Sequence, residues 1–199
     1  MAMPTVVSRA LLTAVLCILV ASSVTAEPAR YEIQRDTSEV TFLATSLLQN
    51  ANGKFHRFSG EVVADPSEPS AARVKLSVDT ASIDTGITKR DNHLRSDDFL
   101  FVERFPAATF QSSRVEGSGP RVTVVGTLTM RGVTREIAVP VDLQITATDL
   151  VARGEFTVNR LHYGIKYQSF LNPVNDTVRI AFVLRGRSWS GEHPTAPQR

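Results

Sequence analysis

Four histidines, His56, His93, His162 and His193, are the side chains best suited to acid–base or metal chemistry near neutral pH. His93 follows Asp91 by two residues, so one reading is an enzyme built on a His93/Asp91 pair, with or without a metal. No His-x-x-x-His or comparable ligand spacing supports a metal. The plainer reading gives Asp91 and Arg90 local helix contacts and leaves His93 facing water. Ser96 has no Gly-x-Ser-x-Gly elbow around it. Asp97-Asp98 suits the start of a helical turn better than paired-carboxylate catalysis. The single cysteine, Cys17, lies in an apolar N-terminal run, so the rest of the chain has no thiol chemistry and no disulfide. No catalytic residue and no metal ligand is assigned. The remaining candidates are apolar. Phe42, Phe58, Phe99, Phe110, Val139, Phe156 and Phe182 are spread over the chain, and each is either core or the lining of a cavity. Tyr163, Tyr167 and Arg90 are candidates for polar groups at its rim.

The elements that must position these residues are strands. Val74, Leu76 and Val78 alternate with polar residues, which is the period of a half-buried strand. Eight such stretches are expected, near 39–47, 55–64, 72–80, 107–115, 121–130, 133–145, 150–159 and 176–187. Asn50-Ala51-Asn52-Gly53 reads as a turn and 65–70 as a loop. Gly60, inside a strand, is expected to mark a bulge or bend. The stretch from Ser82 to Phe110 interrupts the pattern. Thr85-Gly86 is expected to cap a short helix, with Ile87 and Leu94 on one face and Arg90 and Asp91 between them. The very apolar Phe99-Leu100-Phe101-Val102 follows. Phe105-Pro106 then returns the chain to extended geometry. Strands joined mostly by short turns fit a closed antiparallel barrel, and a helical plug with an aromatic hook, inserted between strands three and four, suits one end of it. A two-sheet sandwich is the alternative.

The same residues carry a family resemblance. Ser82-Ile83-Asp84-Thr85-Gly86, then Arg90-Asp91-x-His93-Leu94-Arg95-Ser96-x-Asp98-Phe99, then Phe105-Pro106-x-Ala108-x-Phe110 are similar to the signature of the YceI-like family. So are Gly126-x-Leu128-Thr129-x-Arg131-Gly132-Val133-Thr134, with Phe58-x-Gly60 before and Asp176 after. The resemblance covers roughly residues 31 to 186. The chain departs from it at Phe99-Leu100-Phe101, where the family often has Phe-Phe-Asp, and at Thr45-Ser46-Leu47, near a frequent histidine. The resemblance implies an all-β, eight-stranded lipocalin-like barrel that is exported. It implies an amphiphilic isoprenoid lipid partner, such as an isoprenoid quinone, held inside without covalent attachment. Energetically, burial of each CH₂ is worth about 0.8 kcal/mol, so one five-carbon unit gains roughly 3–4 kcal/mol before ordering costs. Several units outweigh a polar anchor of about 1 kcal/mol. Such a site needs no polar motif. The competing readings are the His93/Asp91 enzyme and a side-chain-filled barrel that binds a partner in the cell envelope.

Composition sets the context. The 199 residues suit one domain, and a net charge of +2 with both signs interspersed gives no basic stripe for nucleic acid. Residues 1–26 read as a signal peptide: Arg9, an apolar run from Ala10 to Val20, and Val24-Thr25-Ala26 as the cleavage site. The run is too short for an ordinary membrane span of about 20 residues. A periplasmic or secreted barrel over 27–187 is expected, with no transmembrane span after cleavage. Residues 188–199 are expected to be a disordered tail. A homodimer remains open.

Overall fold

The computed structural model describes residues 28–189. The expected signal segment, and the tail from residue 190 onward, lie outside the described residues. The strands are β1 (Ala29–Ile33), β2 (Glu39–Ser46), β3 (Ala51–Phe55), β4 (Phe58–Asp65), β5 (Glu68–Asp79), β6 (Ile83–Asp84), β7 (Ala107–Glu116), β8 (Arg121–Met130), β9 (Val133–Ile145), β10 (Asp149–Asn159) and β11 (Val174–Ser188). One α-helix, α1, spans Thr88–Arg95. All strand pairs are antiparallel, in the order β1-β4-β5-β7-β8-β9-β10-β11-β2-β3-β6, and β1 also pairs with β11.

This is a closed barrel of eight staves. β1 and β2 together form the first stave, broken by a short 3₁₀ turn at Arg35–Thr37, and both pair with the long β11. β3 and β4 form the second, broken at His56-Arg57, and β5 and β6 form the third. The remaining five staves are single strands. The expected turn at 50–53 is corrected: Ala51–Phe55 is strand, and the chain reverses just before it. The expected loop at 65–70 shrinks to a tight turn, because β5 already begins at Glu68.

Inward positions follow the alternation of the sequence. Ile33, Val62, Ala64, Val122, Val124, Val139, Val141 and Leu184 are buried in one cluster. Tyr31 and Leu150 are almost wholly buried with them, at 0% and 1% exposure. The Tyr31 hydroxyl donates to the Thr146 carbonyl at 2.6 Å, which fixes this ring at the end of the barrel opposite α1. Burial, with Asp65 and Asp149 nearby, pushes its phenol above its ordinary pKa.

Glycines give the interior its rings. A Cβ on Gly154 would lie 2.5 Å from the Phe182 ring and one on Gly53 2.5 Å from Phe42. Gly60 pairs in register with Leu76 and marks no bulge; the irregularities fall between Val63 and Asp65, between Ser112 and Arg114 and between Val174 and Val178. Gly60 is needed because a Cβ there would press on the Lys75 carbonyl of the neighbouring strand at 2.7 Å. The two-residue turn between β8 and β9 has positive φ at Arg131 (52°) and Gly132 (73°), the geometry that matches the twist of a hairpin.

Candidate functional site

The barrel encloses a cavity of about 200 Å³ whose wall exposes no polar surface. Phe110, Val139, Phe156 and Phe182, all expected site residues, line it together with Leu76, Leu143 and Ala152. Phe110, Phe156 and Phe182 point inward yet are only partly buried, because part of each ring faces the hollow. The Phe156 and Phe182 rings meet edge-on, with centroids 6.5 Å apart. The interior is therefore not filled by side chains, which counts against the solid-barrel reading. Phe58 packs partly buried against the same core but does not reach the cavity wall. Phe42 belongs to a second cluster with Ile83, Leu100 and Ile165, and its ring packs on Phe55 at 5.7 Å.

That second cluster is the underside of the plug. Leu94 of α1 and Phe99, Leu100 and Val102 of the following segment pack onto it. Arginines hold the plug to the rim. Arg95 donates to the Ala81 carbonyl at 2.9 Å and the Ile83 carbonyl at 2.5 Å. Arg131 donates to the carbonyls of Asp97, at 2.6 Å, and Phe99. Arg90, expected at the ligand rim, is engaged with Thr85 Oγ1 at 2.8 Å, the Thr85 carbonyl and the Asn50 carbonyl, and does not line the cavity. Two local expectations are corrected. The N-cap is Ile87, which has no side-chain cap and is 42% exposed, so it shares no buried face with Leu94. The Thr85 hydroxyl and N–H instead donate to buried Asp91, at 2.5 and 2.9 Å.

This placement also dismantles the His93/Asp91 pair. His93 Nε2 faces Asp98 Oδ2 at 3.1 Å, while both Asp91 contacts go to Thr85 through one oxygen. The His93 ring packs with Phe99 at 5.0 Å and Tyr167 at 4.9 Å, and Phe99 packs on Tyr167 at 4.8 Å. Phe99 thus sits in a three-ring contact at the plug. Among the described residues, no group of three or more His, Cys, Asp or Glu is arranged to hold a metal.

The wall has a seam at the plug end. β9 and β10 pair only from Val141/Gly154 to Ile145/Leu150 and separate toward the plug end. A cleft of about 360 Å³ occupies the separation, lined by Thr134, Ile137, Thr157, Val158, His162 and Tyr163 among others. Val158 also lines the central cavity. Tyr163 is 2% exposed, and its hydroxyl is buried without a hydrogen-bond partner. Burial raises its pKa, so the hydroxyl keeps its proton and is a donor without an acceptor.

Sequence reasoning missed Arg160 and Tyr31. The Arg160 side chain is 5% exposed, and it donates to the carbonyls of Ile165, Tyr167, Val174 and Asn175 and to Asp176 Oδ1 at 2.9 Å. It organises the whole β10–β11 connection. The quoted Asp176 was the one available signal, as a carboxylate at the start of a strand.

Comparison with known proteins agrees with this geometry. A UPF0312 protein of Shewanella baltica is 36% identical over 188 residues, covering 89% of this chain and 97% of that protein. A UPF0312 protein of Pseudomonas paraeruginosa is 34% identical over 140 residues, 67% of this chain and 72% of that protein. Among solved structures, Burkholderia cenocepacia BcnA superposes with a TM-score of 0.72 at 24% identity, covering 77% of this chain and 98% of BcnA. A polyisoprenoid binding domain from Saccharophagus degradans, implicated in plant cell wall breakdown, gives 0.65 at 18% identity, covering 82% and 100%. At these identities the two structures speak for the fold alone. Residues 31–185 match the YceI-like domain, and on that span the chain belongs to the YceI-like family.

Proposed function

We propose that this protein is an exported, non-enzymatic carrier or store of an isoprenoid lipid, such as an isoprenoid quinone, held inside the barrel. The observation that carries the proposal is the apolar cavity bounded by Phe110, Val139, Phe156 and Phe182. Family membership supports a lipid-binding barrel, and the name of the Saccharophagus degradans domain supports the ligand class. At about 200 Å³ the cavity is smaller than the 300–1,000 Å³ of ordinary ligand pockets, so it favours a thread of hydrocarbon over a bulky ring system. The head group lies toward the β9–β10 seam, where the Tyr163 hydroxyl donates to a ligand oxygen. Export follows from the N-terminal reading. The work of the protein is to shield apolar surface from water, at roughly 25 cal/mol per Å².

The test is solvent extraction and mass spectrometry of protein purified from cells that make isoprenoid lipids. About one equivalent of such a lipid is expected. Ala152→Trp, which fills the cavity from a small wall residue, is expected to empty the protein of lipid while leaving it folded by circular dichroism. A folded parent protein that never carries lipid, even after incubation with an isoprenoid quinone, would overturn the proposal.

A further inference from the structure

Beyond ligand binding, two loops at the plug end form an unusual surface. Leu47 and Leu48 are 73% and 72% exposed, and Phe170 and Leu171 are 101% and 79% exposed. The loops lie side by side: the Leu47 N–H donates to the Pro173 carbonyl at 3.2 Å and the Leu48 N–H to Asn172 Oδ1 at 2.9 Å. The start of α1 joins them, because Arg90 donates to the Asn50 carbonyl, and Ile87 beside it is also exposed. Large apolar side chains this exposed mark an interaction site when they cluster.

The charge around the loops names the partner. Segments 47–54, 86–90 and 166–175 contain Lys54, Lys89, Arg90 and Lys166 and no carboxylate; of the carboxylates that border them, Asp84 faces Lys54 across the β3–β6 ladder and Asp176 is paired with Arg160. The whole chain, by contrast, has 22 basic and 20 acidic residues, nearly balanced. Protruding apolar side chains with cations around them match the interface of a bilayer that carries anionic head groups.

We infer that this tip docks the protein on an anionic lipid bilayer, with Leu47, Leu48, Phe170 and Leu171 entering the interface and Lys89 and Lys166 lying at the phosphates. The inference goes beyond the cavity and does not need it to hold a lipid.

The test is flotation of the full chain with vesicles of phosphatidylcholine alone or with added phosphatidylglycerol. Parent and variants are compared side by side, so residues 1–27 contribute equally to each. The parent is expected to float with phosphatidylglycerol vesicles and to release at high salt. The Phe170→Ser/Leu171→Ser double variant is expected to bind at least tenfold more weakly. Lys166→Glu is expected to weaken binding to phosphatidylglycerol vesicles but not to phosphatidylcholine. Circular dichroism checks folding, which these exposed positions leave intact. The docking inference is overturned if the parent ignores phosphatidylglycerol vesicles or if the double variant floats as well as the parent. It is also overturned if gel filtration shows a dimer that the double variant dissolves, since a second copy then covers the tip. Bound isoprenoid lipid, measured in the same preparations, reports separately on the cavity.

Discussion

Arg160 shows how one buried cation can shape a connection. Its buried guanidinium gathers four carbonyls of the 165–175 segment and the half-exposed Asp176 carboxylate. Removing Asp176 leaves a buried charge without its counter-ion, which is costlier than the loss of a surface pair. Asp176→Ala is therefore expected to lower unfolding stability by about 2–3 kcal/mol in urea titrations, and Arg160→Met to cost at least as much. Two rim carboxylates contribute to the response to acid. The Arg57 guanidinium holds Asp79 below the ordinary carboxylate value, and the His56 ring does the same for Asp84. Both groups bind a proton less readily folded than unfolded. Their contribution is whole above that ordinary value of 3.8 and is lost as the pH falls below it. Thermal midpoints are expected to drop between about pH 5 and about pH 3, and Asp79→Asn is expected to shrink that drop. None of this was legible in the sequence. Arg160 has mostly backbone partners, and backbone carbonyls leave no pattern of residue types to read.

At the scale of elements, legibility followed regularity. β8 was expected at 121–130 and lies at Arg121–Met130, and β9 carries the longest clean alternation and lies at Val133–Ile145. The broken staves were harder. β1, β3 and β6 have five, five and two residues, too few for a period to declare itself. Asn52-Gly53 looked like a turn because Asn and Gly favour one, but Gly53 is there to admit the Phe42 ring. Gly154 has the same duty toward Phe182. A Cβ at Gly154 would press on the Phe182 ring at 2.5 Å and on the Pro140 carbonyl at 2.6 Å. Gly154→Ala is expected to cost about 1–3 kcal/mol by overpacking. It should also drive the Phe182 ring into the cavity, so lipid content by mass spectrometry falls together with the thermal midpoint. The plug was recognised from its apolar run, but not its attachment by Arg90, Arg95 and Arg131, since each reaches carbonyls distant in sequence.

For the whole molecule, alternation predicted that a barrel would close, and the first and last staves do meet: Tyr31 pairs with Ser188 and Phe42 with Ile180. Whether the interior would be hollow could not be read from residue types, because a phenylalanine that packs and one that lines a cavity look alike in sequence. Four of the seven apolar candidates reach the cavity wall, and the other three lie elsewhere in the core or at the plug. The seam between β9 and β10, the plug and the exposed loop tip all lie at one end. Among the described residues no helix is long and apolar enough to cross a membrane.

At the opposite end Tyr31 is fixed by its bond to Thr146. Tyr31 does not itself line the hollow; the side chains that do so at this end are Ile33, Ala64, Ala72 and Leu150. On the proposed carrier reading, these small and aliphatic residues decide how far a tail reaches below the plug, and larger side chains there should select for shorter tails.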